Sequence, residues 1–479
     1  MNQTPKKRKV TFPLINMELL RNNKHFFFLG MAIIMSLIIG SIDYYTNDEF
    51  KSSFLGGILV EAHGMLLDIF LFGILLTIYE KFTEKSNEIE RLKEEIDDYR
   101  GWNEPEAMYR IVGCIKRLNK RGISEINLKY CFLEEGNLES VDLQGADLQE
   151  VNLQEANLKN ADLNGADLRK SNLKKIHLRE AHLENADLQG ADLQGARLWD
   201  VCLFNADLRG ANLQGAHLQD SDLREADLRG ANLQEANLKE ANLQDSDLRE
   251  ADLQGADLRH VNLSKANLER ANLIGADLEW ANLQMTNLEW ARLGWANLRK
   301  IDFNETKLIG ANLQGAILHE TDLKKANFFL ASLIGADLKW ADLKGANLHG
   351  TTMRGADFRG ANLQGADICE SDLRGANLRG ANLQGAHLGD TYLSGADLKH
   401  ANLQEADLEY ANLEWAYLKG ANLKGANLSK THLLTANLLQ ADLSGAKIDS
   451  LESLEIINAQ SGKIYKANFD KIDGCYTIE

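Results

Sequence analysis

The sequence predicts an all-β solenoid that follows a helical N-terminal region, and three observations support this prediction. From Leu128 to Ile448 an apolar residue occupies every fifth position, which makes 65 consecutive units, and 59 of them carry Leu there. All three prolines of the chain precede this array, as expected where every backbone N–H is needed for a hydrogen-bonded ladder. Upstream, residues 26–42 and 54–79 form two apolar segments of the length that a membrane-spanning helix requires.

The five-residue period excludes both regular elements as the structure of the array. On an α-helix, five residues advance by about 500°, so the Leu positions would wind around the helix instead of forming one face. On a straight strand an odd period would place successive Leu residues on opposite faces. Every Leu can face one core only if the chain turns once per unit, with short extended sides joined by corners. Glycine is frequent two residues after the Leu, where a corner needs permissive backbone angles.

The units resemble those of the pentapeptide-repeat family. Residues 231–235 read Ala-Asn-Leu-Gln-Glu, which matches the A(D/N)LXX pattern of that family. The resemblance implies an all-β right-handed quadrilateral β-helix over residues 126–448, with four units per coil, about 16 coils, and the Ala and Leu side chains pointing inward. At a strand spacing of ~4.8 Å, the stack of coils would be on the order of 75–80 Å long.

The residues before the array predict a membrane anchor. A basic segment, 1–25, precedes a transmembrane helical hairpin, 26–79, whose two spans are residues 26–42 and 54–79. Basic residues cluster before the first span and after the second, whereas the loop 43–53 holds three acidic residues and one lysine. The positive-inside rule therefore predicts that both termini and the whole repeat domain are cytoplasmic, with the lipid bilayer as a partner.

One helical stripe of the second span carries small and acidic residues: Gly57, Glu61, Gly64 and Asp68. Apolar residues continue the same spacing through a predicted coiled-coil extension, 80–101. Small residues let membrane helices approach closely, and heptads of Ile and Leu associate in water. We therefore expect a parallel homo-oligomer joined along residues 54–99; the alternative is a contact of the stripe with the first span. The two carboxylates would then form acidic rings on a path for cations or protons, or would only pack inside the bundle.

Two short segments are predicted to cover the ends of the array. Residues 102–125 contain a helix start at Glu104-Pro105 and a stop at Gly122. The apolar face of this capping helix would cover the first coil, which otherwise exposes unpaired strand edges and core Leu side chains. At the other end, residues 449–479 leave the five-residue pattern and would form a C-terminal cap.

Large aromatic residues at outward positions indicate a surface for a partner. Five tryptophans follow a repeated Leu by two residues: Trp280, Trp290, Trp295, Trp340 and Trp415. An exposed Trp at a corner can anchor a protein partner. The alternative is that each indole ring packs on the corner of the neighbouring coil.

Composition and motifs argue against enzyme activity and against bound cofactors or metals. The chain contains no GxxxxGK, HExxH or GxSxG motif, and its five cysteines have no metal-binding or disulfide spacing. The Asp and Asn residues before each Leu recur as part of the pattern, so none stands out as an acid or base. The array has 33 basic and 47 acidic residues, and we expect no nucleic-acid partner.

Three functions fit these features. The leading hypothesis is a non-enzymatic, membrane-anchored and oligomeric scaffold whose solenoid binds an unidentified cytoplasmic protein. The second is an oligomeric membrane effector or ion channel with the solenoid as its sensor. The third comes from the family resemblance, since some members imitate duplex DNA and bind DNA gyrase; the acidic array has the required sign of charge.

Overall fold

The computed structural model describes residues 54–303, 305–463, 465–470 and 475–479. The chain divides into two compact units, Met1–Glu90 and Arg91–Glu479. The elements in chain order are α1 (Phe54–Asp98), α2 (Pro105–Asn119), β1 (Lys447–Ile448), α3 (Leu451–Ser461), β2 (Ala467–Asp470) and β3 (Cys475–Ile478). The coils of the solenoid lie between α2 and β1.

The solenoid is a parallel β-helix with 20 residues per coil. Each residue that precedes a repeated Leu forms a parallel bridge with the residue 20 positions further on, from the Asn127–Asp147 pair to the Asn427–Lys447 pair. Four units therefore make one coil, and the four-sided β-helix implied by the family resemblance is confirmed. Its right-handed sense stays a prediction.

Where Asp or Asn precedes the Leu, every backbone N–H of a unit is used, which explains the absence of proline. In the unit 147–151, the first, second and fourth residues donate to neighbouring coils at 2.7–3.0 Å. The fifth, Val151, donates to the carbonyl oxygen of Leu148 at 3.2 Å and closes the corner. The third, Gln149, donates to Oδ1 of Asp147 at 3.1 Å. Because only a short side-chain oxygen reaches this last N–H, the position before Leu favours Asp and Asn.

The corner residue, two positions after Leu, adopts a left-handed backbone conformation. Its φ is 65° at Gly145 and 53° at Glu150, and the same sign recurs along the array. This conformation costs a non-glycine residue roughly 1–2 kcal/mol, which explains why glycine is common there. Of the corner residues that the structure describes, Thr435 has no positive φ, as expected for a β-branched side chain; its hydroxyl instead accepts the backbone N–H of Trp415 at 2.9 Å.

The core consists of stacked Leu and Ala side chains. The repeated apolar position is buried throughout the array, and its larger substitutes Phe303, Phe328 and Phe358 are fully buried. Some units carry Ser or Thr where most carry Ala, and these hydroxyls donate to a Leu carbonyl oxygen of the same coil or of the preceding one. Ser171 Oγ, for example, donates to the carbonyl oxygen of Leu168 at 2.6 Å, so the buried polar group is satisfied.

Helix α2 covers the first coil. Its buried residues include Ile111, Ile115 and Leu118, all at most 1% exposed. Asn119 fixes the end of the helix to the coil, because its side chain donates to the carbonyl oxygen of Asp142 at 2.6 Å and accepts the Asp142 N–H at 2.9 Å. The apolar face of α2 therefore replaces the coil that would otherwise precede the first one.

The last turns of α1 belong to the same unit as α2, and this corrects part of the predicted oligomer interface. Leu92 and Ile96, which lie on the predicted coiled-coil stripe, are each 1% exposed within a single chain. Between them in sequence, Glu95 forms ion pairs with Arg110 at 3.8 Å and Arg117 at 3.6 Å. Residues 91–99 are thus occupied by intramolecular packing, because the apolar stripe finds a partner surface in its own chain.

The other end of the solenoid is closed by a small antiparallel sheet with the strand order β1-β3-β2. β3 runs along the last coil, where Ile478 donates to the carbonyl oxygen of Ala446 at 2.8 Å and accepts the N–H of Gly445 at 2.6 Å. Helix α3 begins after the N-cap Ser450, whose side chain accepts the Ser453 N–H. Ile457 of α3 is fully buried.

Among the residues that the structure describes, no helix combines the length and the apolar character that crossing a bilayer demands. The predicted second span, 54–79, is therefore not supported. The predicted first span, 26–42, lies outside the described residues, as do the segment 1–25 and the loop of the predicted hairpin.

Candidate functional site

The five tryptophans singled out by their position after Leu all occupy corners of the solenoid. Their φ angles lie between 56° and 65°, which is the corner conformation. Their exposed fractions lie between 51% and 66%, so each side chain points away from the core and half or more of it is open. The tryptophans are Trp280, Trp290, Trp295, Trp340 and Trp415.

Three of these indole rings lie over a glycine of the next coil. A Cβ atom at Gly315 would lie 2.7 Å from Nε1 of Trp295. A Cβ at the glycine 20 residues after Trp290, or at the one 20 residues after Trp340, would overlap the indole ring. The packing alternative therefore holds for these three rings. More than half of each residue stays exposed, and the contact with a partner stays a prediction.

Trp280 has a different environment. Its ring stacks on the His260 ring of the preceding coil, with a centroid distance of 6.3 Å and an interplanar angle of 5°. Lys300, on the following coil, places Nζ 4.7 Å from the centroid of the Trp280 ring, which is within the range of a cation–π interaction. Trp280 is therefore held in a column of side chains and is less available to a partner than its exposure suggests.

Exposed apolar side chains concentrate in one stretch of the solenoid, which we call the apolar belt. Its members are Trp280, Met285, Trp290, Trp295, Ile317, Phe329, Leu330 and Trp340. The first four occupy successive corners, so they surround one complete coil. By contrast, residues 131–279, all of which the structure describes, contain no comparably exposed large apolar side chain. Most monomeric proteins lack such a concentration of exposed apolar side chains. Where one occurs, it is typical of an interaction surface.

Four members of the belt were missed by the sequence analysis: Met285, Ile317, Phe329 and Leu330. They occupy the outward positions of their units, which carry polar or glycine residues in most of the array. Comparing each outward position with the usual composition of that position would have found them. A prediction based on tryptophan alone therefore includes only four of the eight members of the belt.

Charge along the solenoid changes at the belt. Residues 126–285 contain 16 Lys and Arg and 29 Asp and Glu, a net charge of −13. Residues 286–365 contain 10 Lys and Arg and 8 Asp and Glu, a net charge of +2. The exposed apolar side chains therefore lie mainly in a stretch that is close to neutral, next to a strongly acidic half.

One corner, which carries three members of the belt, is continuous over four coils, and we call it the Trp290 corner. It consists of Trp290, Ile309, Phe329, Leu330 and His349. The backbone N–H of Trp290 donates to the carbonyl oxygen of Ile309 at 2.9 Å, and that of Leu330 donates to His349 at 3.2 Å. The Phe329 and His349 rings stack with a centroid distance of 5.7 Å. These contacts hold the side chains of neighbouring coils side by side as one strip.

The titratable groups of the solenoid serve its structure. Although burial alone would raise it, hydrogen bonds from Arg374 and Arg354 lower the pKa of Asp372 to about 2. Burial raises the pKa of the Cys131 and Cys369 thiols to about 11, so both are protonated at neutral pH and poor nucleophiles.

The residues predicted to form an intramembrane polar stripe all lie in α1. The structure describes the backbone of Gly57, Glu61 and Gly64 as helical and does not describe their side chains. Asp68 is half-buried, and its Oδ1 has no hydrogen-bond partner among the described residues. The helix therefore contains the predicted residues, and their role as a polar stripe stays a prediction.

The repeated units match a known family along most of the solenoid. A family model described as pentapeptide repeats (8 copies) matches residues 124–160, 137–174, 161–200, 206–245, 251–289, 286–324, 336–375, 376–414 and 411–449. The chain belongs to the pentapeptide-repeat family. In this pentapeptide-repeat protein, the family pattern accounts for the inward Ala and Leu and for the Asp or Asn that accepts a backbone N–H, and it leaves the two positions after Leu variable.

Several solved structures are similar to this pentapeptide-repeat protein. A trypsin-treated form of QnrB1, a plasmid-mediated fluoroquinolone resistance protein, is 21% identical over 43% of this chain and 94% of its own, with a TM-score of 0.30. HetL, involved in heterocyst differentiation regulation in the cyanobacterium Nostoc sp. strain PCC 7120, is 29% identical over 68% and 95%, with a TM-score of 0.16. A pentapeptide-repeat protein of the Arabidopsis thaliana thylakoid lumen is 30% identical over 24% and 65%, with a TM-score of 0.12. No curated protein matches the sequence.

Proposed function

We propose that this protein is a non-enzymatic interaction scaffold whose solenoid binds a protein partner at the apolar belt. The observation that carries the proposal is the concentration of eight exposed large apolar residues between residues 280 and 340. Protein interfaces are enriched in aromatic residues and Met, and their centres are depleted of charge. The belt has both properties, whereas the acidic half of the solenoid has neither.

Cross-linking in cells followed by identification of the captured proteins tests this function. The full chain should capture one specific protein, and a variant with Trp290→Ser, Trp295→Ser and Trp340→Ser should lose it. The matched control replaces Trp199, a half-buried residue of the acidic half, with Ser. If the triple variant still captures the protein, the belt is not its binding surface. If the full chain captures no specific protein, the scaffold function itself is contradicted.

The proposal includes a cytoplasmic membrane tether formed by the N-terminal residues. Its support is the uncharged apolar segment 26–42 and the basic residues around the apolar segments. Carbonate extraction of membranes tests it. The full chain should stay with the membrane pellet, and a chain that lacks residues 1–79 should be released; release of the full chain would contradict the tether.

Oligomerisation through α1 is the third part of the proposal, now limited to residues 54–90. Ile78 and Phe82 are spaced four residues apart on α1 and are 57% and 54% exposed. Apolar residues at this spacing form one face of a helix that a second copy can cover. The mass of the detergent-solubilised assembly should fall to that of one chain when both residues are replaced by Glu, and an unchanged mass would exclude this interface.

Binding to DNA gyrase is a second candidate function, which the acidic half favours. Asp residues of six successive coils are bridged in one column of this half: Asp147, Asp167, Asp187, Asp207, Asp227 and Asp247. However, arginines neutralise part of the column, as Arg209 does for Asp207 through a 2.6 Å ion pair. A supercoiling assay with purified gyrase tests this candidate, and the absence of both inhibition and protection would exclude it.

No described contact favours the channel function, whose residues lie on α1.

A further inference from the structure

We propose that the Trp290 corner is the docking strip for an acidic, amphipathic polypeptide segment. This inference rests on the proposed protein-interaction function and specifies the chemistry of the partner. The apolar side of the segment would cover the side chains of Trp290, Ile309, Phe329 and Leu330. Its acidic side would face a set of basic residues that border the strip.

The strip has the shape that a short segment requires. Phe329 is 36% exposed and Leu330 is 51% exposed, and both lie on the coil between those of Ile309 and His349. Glycines without a Cβ leave room for the larger side chains, because Leu330 Cδ2 would lie 3.0 Å from a Cβ at Gly350. Four coils at a spacing of ~4.8 Å give a strip roughly 15 Å long, which equals about ten residues of an α-helix.

Four cations border the strip and form no ion pair in the part of the chain that the structure describes. They are Arg292, Lys307, Lys325 and Lys344, and all four are exposed. Each lies within five residues of a member of the strip on the same coil. By contrast, the nearby Lys324 is already paired with Asp322 at 2.7 Å and with Asp342 at 3.3 Å. Two nearby carboxylates, Glu289 and Glu305, form no ion pair among the described residues either, and Asp367 and Glu370 contact only the His349 end of the strip. The four cations therefore outnumber the unpaired anions along the rest of the border, which an acidic partner complements.

The charge of the acidic half also favours binding of an acidic segment at the strip. An acidic segment is repelled by residues 126–285, whose net charge is −13, and is attracted only where that field ends. The strip lies just beyond this boundary, between residues 290 and 349. Like-charge repulsion along the rest of the solenoid therefore restricts the segment to this position.

Segments of this same chain fit the strip poorly. The N-terminal residues 1–25 contain six basic residues and one acidic residue, so the bordering cations would repel them. The strip of a second copy carries the same cations. The acidic half of a second copy has the right charge, but its residues 131–279 expose no large apolar side chain to meet the strip. Helix α1 of a second copy is acidic, with eight Asp and Glu and four Lys and Arg over residues 80–98, but its exposed Ile78 and Phe82 belong to the oligomer interface proposed above. We therefore assign the strip to a different protein with an acidic amphipathic segment.

Fluorescence anisotropy with labelled 16-residue helical peptides and the full chain tests this inference. The first probe has Leu and Phe on one face and Glu on the other, the second has Lys in place of Glu, and the third has Ser in place of the apolar residues. Only the first should bind, and its dissociation constant should rise with salt concentration because the border attracts it electrostatically. Equal binding of the Lys probe or of a 16-base-pair DNA duplex would overturn the inference.

Two substitutions of the same type locate the site. Leu330→Glu should weaken binding of the Glu probe at least tenfold, and its backbone tolerates Glu because Glu370, at the same corner two coils on, has a φ of 57° against 59° for Leu330. Leu434→Glu, at a residue that is 63% exposed near the C-terminal end, should leave binding unchanged. Equal loss in both variants, or in neither, would contradict docking at the strip.

The cellular capture separates this inference from the function on which it rests. A partner that is captured by the full chain and lost in the triple tryptophan variant, but retained by Leu330→Glu, would support the scaffold and exclude this strip. A partner that is lost in both variants, and whose binding region is an acidic amphipathic segment, would support both. A partner that binds through a basic segment would overturn the inference alone.

Discussion

At the scale of single residues, the corner position decides what the surface of the solenoid displays. Corner residues have a positive φ with nearly every kind of side chain, Thr435 excepted, so glycine is the least strained choice there. Glycine has a second role where a Trp occupies the same corner one coil earlier. Its lack of a Cβ leaves room for the indole ring. Three tryptophans of the belt, Trp290, Trp295 and Trp340, thus pack on glycines of their own chain.

This support predicts a difference between two glycines of one coil. Gly360→Ala would place a Cβ against the Trp340 ring, whereas Gly365 has φ +63° and nothing within 4 Å of its Cβ position. Both substitutions should cost about 1 kcal/mol for the left-handed backbone, and only Gly360→Ala should also shift the near-ultraviolet circular dichroism of tryptophan. Thermal unfolding and circular dichroism measure the two effects, and identical spectra for the two variants would contradict the stacking.

Asp372 provides a prediction on pH. Its pKa is about 2 in the folded chain, against 3.8 for the free side chain. Because the folded pKa is the lower one, its stabilisation is complete above about pH 4 and is lost as the pH falls towards 2. Asp372→Asn should therefore cost about 2 kcal/mol at pH 7 and almost nothing at pH 2. Unfolding of both forms from pH 7 to pH 2 measures this, and a difference that does not depend on pH would exclude the ion pairs as the cause.

At the scale of secondary-structure elements, the repeat could be predicted almost completely and the helices only in part. A period of five forces one corner per unit, and the six non-Leu residues at the repeated position are as buried as Leu. The coil size came from the family resemblance, since spacing alone does not say how many sides close a coil. The stripe of α1 showed that Leu92 and Ile96 would be buried, but amphipathicity does not say against which surface.

The packing of α1 on the cap can be tested separately from oligomerisation. Leu92→Ala should cost about 2–5 kcal/mol locally and should speed hydrogen exchange of the first coil, with no change in the mass of the assembly. Ile78→Ala, at an exposed residue of the same helix, should leave exchange of the first coil unchanged. A change in the assembly mass with Leu92→Ala would mean that the residue contacts another chain.

At the scale of the whole solenoid, each coil contacts only its neighbours. The coils have the same length of 20 residues but differ in the side chains that they expose. Deletion of residues 206–225, one complete coil, should leave the fold intact, because every downstream residue keeps its column. Deletion of residues 206–223 moves each Leu two positions out of line with the core. Circular dichroism and thermal unfolding should show a native β-structure for the first deletion and a loss of it for the second; equal behaviour would contradict the stacking by columns.

The candidate site could be predicted only where a single residue type revealed it. The tryptophans stand out in any sequence. Phe329 and Leu330 differ from their surroundings only in position, because an apolar residue is usual at position 328 and unusual at the two positions after it. The stacking of coils 20 residues apart then brings together residues that the sequence separates. Neither the strip nor its bordering cations can be recognised before the number of residues per coil is known.

The closed ends of the solenoid also limit how copies of this protein can associate. A bare terminal coil offers a row of free backbone donors and acceptors that an identical chain could extend without limit. Here α2 blocks one terminus and β3 occupies the other, so head-to-tail polymerisation into filaments has no starting point. Removal of α2 or β3 by proteolysis would expose a terminal coil, and the cleaved chains would be expected to form fibres.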